Sequence, residues 1–81
     1  MRKMRIQVKP EAMLKAITRR GITLYSLATH AGISPTHMYN LMSGRRNASP
    51  KVAMAIARTL RVDPTDIFDI TYRDPQDLHE P

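Results

Sequence analysis

The sequence contains no cysteine, so neither a disulfide framework nor a cysteine-ligated zinc site can staple the fold, and hydrophobic packing must hold it. Its three histidines, His30, His37 and His79, fall at no metal-ligand spacing. No apolar run approaches the roughly 20 residues of a membrane span, and the basic start MRKMRIQVK lacks the apolar stretch of a signal peptide. A soluble, unprocessed protein is expected, and the absent cysteine fits the cytoplasm. Acid is scarce as well: among residues 1–62, Glu11 stands alone against 12 Lys and Arg. An acid-base or nuclease site needs carboxylates near a basic cleft, and this body offers one. There is no Ser-His-Asp arrangement and no phosphate-binding glycine loop. The expectation is a protein that is not an enzyme, with no cofactor and no metal.

What is present is unevenly distributed. Residues 1–62 carry a net charge of +11, while residues 63–81 set Arg73 against Asp63, Asp66, Asp69, Asp74, Asp77 and Glu80, a net −5 within the total of +6. Such a field favours a polyanion at one end. A solvated basic surface with a solubilising acidic tail accounts for the charge equally well. At 81 residues, one domain is expected: a basic strand or arm over 1–9, a helical body over 10–68, and an acidic strand and tail over 69–81.

The three glycines, Gly21, Gly32 and Gly44, each close an apolar-periodic run, as helix stops do. Ser34-Pro35, Ser49-Pro50 and Asp63-Pro64 pair an N-cap side chain with proline at the first helical position. Helices are predicted over 10–20, 24–31, 35–43 and 50–60, with a helical turn from Pro64 to Phe68. Helical spacing assigns Leu14, Ile17, Leu24, Leu27, Ala28, Ala31, Met38, Leu41, Met42, Val52, Ile56, Ala57 and Leu60 to one core with Val62, Ile67 and Phe68. The six methionines are read mostly as gap-filling core residues. MRIQVK and FDITYR alternate with period two and can pair as a two-stranded ribbon, basic against acidic. Residues from Pro75 to Pro81 are expected to fray.

Residues 27–44, LATHAGISPTHMYNLMSG, stop one helix at Gly32 and launch another at Ser34-Pro35. Ala28 sits where two helices must cross closely, and Ile33, Met38 and Leu41 serve as apolar anchors. That is the layout of a helix-turn-helix, whose second helix lies in the DNA major groove. From Lys15 to Phe68 the chain resembles the phage-repressor and Cro type of helix-turn-helix regulators, the xenobiotic-response-element-like proteins. The resemblance rests on Leu27-Ala28, Gly32-Ile33-Ser34, Met38, Leu41, Gly44 and ARTLRVDPTDIF. It implies a mainly α, lambda-repressor-like bundle of four to five short helices. It also implies a cytoplasmic bacterial, phage or plasmid regulator that binds a double-stranded operator. Two positions depart from the family pattern. Leu24 stands where a DNA-touching glutamine is common, and Met42-Ser43 replaces an acid-amide pair. One backbone clamp is therefore either missing or replaced by Thr23 or Tyr25.

If helix 35–43 enters the groove, Thr36, His37 and Asn40 are the candidates for base edges, with Asn40 suited to a bidentate bond to adenine. Pro35 offers only apolar contact to a thymine methyl, and Tyr39 can reach a base or a phosphate. Polar residues on an exposed helix face are also consistent with plain solvation. Thr23, Tyr25, Ser34, Ser43, Arg45, Arg46 and Lys51 are the candidate phosphate contacts, Arg45 and Arg46 foremost. Arg2, Lys3 and Arg5 form either an arm on DNA or a solvated tail. One module covers one half-site, so a homodimer on half-sites about 34 Å apart is expected. The competing reading is an antitoxin-like interaction module that uses the acidic C-terminal tail to bind a protein partner.

Overall fold

Helix starts follow their capping side chains. In the computed structural model, which describes residues 3–73, the Thr23 hydroxyl accepts the Ser26 N–H at 3.0 Å and opens α2 (Leu24–Ala31). Ser34 accepts the His37 N–H at 3.0 Å and opens α3 (Pro35–Met42). Ser49 accepts the Val52 N–H at 3.2 Å before α4 (Pro50–Leu60). Asp63 takes the Thr65 N–H at 2.9 Å before the single turn of α5 (Pro64–Ile67). These bonds satisfy donors that the helix itself leaves unpaired. The Thr65 hydroxyl and N–H together hold the Asp63 carboxyl below its ordinary value. Among the helices of the described residues, only α1 (Pro10–Arg20) starts without a side-chain cap; Lys9 precedes it and sends its N–H to the Ile67 carbonyl.

Helix ends share one device. After α2, the Gly32 N–H bonds the Thr29 carbonyl and the Ile33 N–H bonds the Ala28 carbonyl, with Gly32 left-handed at φ 76°. The same pair of bonds closes α4, from Arg61 to Arg58 and from Val62 to Ala57. There the left-handed residue, at φ 58°, is Arg61, the one described non-glycine with positive φ. Helix α3 ends at Met42, with Ser43 as its cap, one residue short of the sequence expectation. Phe68 leaves the fifth helix and begins a strand.

The terminal strands do pair. Strands β1 (Lys3–Val8) and β2 (Phe68–Arg73) run antiparallel, with Ile6 opposite Ile70 and Val8 opposite Phe68. The register does not set basic residues against acidic ones: Arg5 faces Thr71, Gln7 faces Asp69, and Lys3 faces Arg73. The ribbon is held by packing, with Ile6 and Phe68 sealed into the helical core. That core also takes Met13, Ala16 and Ile17 from α1, Leu27 and Ala28 from α2, Met38 and Leu41 from α3, and Ala53, Ile56, Ala57 and Leu60 from α4.

Leu14 is a correction. It is 51% exposed, and Met13, fully buried, takes the place assigned to it. The α1 sequence carries apolar residues on adjoining faces, and the face bearing Met13 is the one clustered with Ile6 and Phe68. The described methionines divide between core and surface. Met13 and Met38 are buried and Met42 is half-buried, whereas Met4 and Met54 are exposed. Leu24, Ala31, Met42, Val52 and Val62 pack at the rim of the core. Arg2, the fraying expected from Pro75 to Pro81 and, of the acidic segment read as a partner site, residues 74–81 lie outside the described residues.

Candidate nucleic-acid interface

The periodicity of α3 sorts its side chains. Met38 and Leu41 point into the core with no exposed surface, so the residues between them must face outward. Pro35, Thr36 and Tyr39 are exposed, Tyr39 at 70%; His37 and Asn40 are half-buried. Thr36, Tyr39 and Asn40 line one open hollow together with Ser43 and Arg45 from the following turn. Pro35 and His37 lie on the same short helix but outside that hollow.

The turn after α3 is tied back to several helix carbonyls, with the Ser43 N–H on Tyr39 at 2.9 Å and the Gly44 N–H on Leu41 at 3.2 Å. The Asn40 oxygen accepts the Arg45 N–H at 3.0 Å, the Arg46 N–H at 3.2 Å and the Ser43 hydroxyl at 3.2 Å. Three donors on one oxygen fix where Arg45 and Arg46 leave the helix, and both side chains are exposed. Asn47, which carries no motif signal, stands exposed beside them. Ala48, missed by the periodicity because it belongs to no helix, is buried, and its N–H reaches the Ile6 carbonyl at 2.8 Å. The loop therefore leans on β1.

The remaining candidates sit at helix starts, Thr23 and Tyr25 at α2, Ser34 at α3 and Lys51 at α4. Thr23, Tyr25, Ser34 and Lys51 are all exposed, and Tyr25 is 68% so. Capping uses a lone pair on the Thr23 and Ser34 hydroxyls, which leaves each O–H proton available as a donor. Among the described residues, no group of three or more His, Cys, Asp or Glu is placed to hold a metal, and no helix is long and apolar enough to cross a membrane.

The helix-turn-helix family model matches residues 13–67, which run from the buried Met13 to the end of α5. The chain belongs to the helix-turn-helix family. Two solved structures share the fold of this helix-turn-helix protein. One is the restriction-modification controller protein C.AhdI from Aeromonas hydrophila, with a TM-score of 0.63, 21% identity, and coverage of 70% of this chain and 86% of that one. The other is the clp gene regulator ClgR from C. glutamicum, with a TM-score of 0.61, 24% identity, and coverage of 70% and 74% respectively. No curated protein matches the chain in sequence. At Leu24 this helix-turn-helix protein spends the first residue of α2 on packing, since the side chain is half-buried against the core.

Proposed function

We propose that this helix-turn-helix protein is a DNA-binding transcription regulator, a repressor that occupies its operator as a homodimer with α3 of each copy in the major groove. The observation that carries the reading is the split personality of α3: Met38 and Leu41 anchor it, while Thr36, Tyr39 and Asn40 share an outward hollow with Ser43 and Arg45. Asn40 and Thr36 meet base edges, His37 and Pro35 flank them, and Tyr39 takes a base or a phosphate. Arg45, Arg46, Lys51 and Ser43 grip the backbone on one side. Thr23, Tyr25 and Ser34 hold it at the starts of α2 and α3, replacing the amide that Leu24 lacks. One solved neighbour is named a controller protein and the other a gene regulator, which supports the same class.

A second copy completes the operator. Met4 and Tyr72 face each other across the ribbon, exposed by 41% and 60%, and provide apolar surface for a twofold contact. The fifth helix contributes less, since Ile67 is buried in its own core.

Titrating duplex DNA at increasing salt tests the reading. Binding should weaken with a log-log slope of about −0.9 for every phosphate neutralised, and cognate DNA should outlast random DNA. Affinity that ignores salt, or never separates cognate from random DNA, would reject it.

A further inference from the structure

We infer that β1 is a second phosphate-binding element, with Arg5 as its contact, joined to the loop after α3 in one basic strip that grips the DNA backbone flanking the half-site. This rests on the DNA-binding reading above and extends it to a part of the fold outside the helix-turn-helix.

The joint is visible in the hydrogen bonds. Lys9 donates to the Ile67 carbonyl, continuing the β1–β2 ladder, so odd positions of β1 bond β2 and even positions turn their backbone groups to the other edge. On that edge the Ile6 carbonyl receives the Ala48 N–H at 2.8 Å. Ala48 is buried, so the contact is a packed seam rather than a brush between loops. The loop thus runs beside β1 at about one strand spacing, roughly 4.8 Å. Helix α3 itself packs against the same strand.

Side-chain alternation then aims Arg5. Ile6 points into the core, so Arg5 points away from it, and Arg5 is exposed. Its cross-strand neighbour is Thr71, and the described acid on β2, Asp69, lies opposite Gln7 instead. Arg45 and Arg46 stand exposed a few residues before the seam at Ala48. Arg5, Arg45 and Arg46 are thus three exposed cations on two segments joined by that seam, and like charges on joined segments favour a polyanion. A row of regularly spaced phosphates fits such a strip better than a single anionic group does. Because the strand is paired and seamed, Arg5 is not on a loose arm, and binding costs little chain ordering.

The test compares the full-length protein with Arg5→Ala, Arg5→Lys and Thr71→Lys on one operator across a salt series, with circular dichroism as a check of folding. Arg5→Ala should lower the salt slope by about 1 and weaken all sequences alike, roughly fivefold near 0.15 M salt. Arg5→Lys should keep the slope, and Thr71→Lys, beside Arg5 in the register, should steepen it. If alanine loosens the strand, Arg5→Gln serves in its place. Arg5→Ala or Arg5→Gln matching wild type in slope and affinity, on DNA that wild type still binds specifically, overturns the inference. Loss of specific binding in wild type would instead overturn the DNA-binding reading itself.

Discussion

Arg61 does at the end of α4 what Gly21, Gly32 and Gly44 do elsewhere, adopting positive φ to let the chain turn out of a helix or loop. A side chain in that conformation is strained, by about 1 kcal/mol relative to glycine. Arg61→Gly should therefore raise stability to urea by about that amount, although glycine gives some back by enlarging the unfolded ensemble. A destabilised variant would show that the arginine side chain holds this end of the molecule. Asn40 shows a different division of labour within one residue. Its carbonyl ties down the Arg45 and Arg46 amides, while its side chain lines the outward hollow. Mutation of the side chain leaves the carbonyl in place, so recognition can be probed apart from folding.

Among the elements, α1 gives the sharpest test of which face is internal. Met13 has no exposed surface and Leu14 is half exposed. Met13→Ala should cost about 2 to 5 kcal/mol, and Leu14→Ala well under 1 kcal/mol, by thermal or urea unfolding. Equal losses would contradict the packing described. The same helix shows what sequence alone can and cannot fix. Ser34, Ser49 and Asp63 announced their helices because capping is a local bond between neighbours, and the bonds are found. Strand alternation likewise announced the ribbon. The rotation of α1 was not legible, because apolar residues occupy adjoining faces and the choice falls to Ile6 and Phe68, distant in sequence. Ala48 was invisible for a related reason: its burial depends on a hydrogen bond to Ile6 across 42 positions. Of the candidate site, the residues of α3 and the following turn were legible from helical periodicity. The meeting of that turn with β1 was not.

At the scale of the whole molecule, the charge imbalance between residues 1–62 and 63–81 acquires a geometry. Arg45 lines the hollow beside the outward face of α3, Arg46 follows it exposed in the same turn, and Arg5 is exposed on the strand to which that loop is bonded. The ribbon presents Met4 and Tyr72, partners in its register, as exposed apolar surface. A twofold contact there would pair two recognition helices, so the operator should be a palindrome with half-sites about one helical turn, roughly 34 Å, apart. The most direct measurement is selection of bound sequences from a random DNA pool, run in parallel with wild-type protein and Asn40→Ala. The account predicts that wild type enriches a palindrome, and that Asn40→Ala folds normally yet loses preference at one symmetric base position, a discrimination loss of roughly 1 to 3 kcal/mol. Enrichment of the same sequence by both proteins, or of none by wild type, would contradict it.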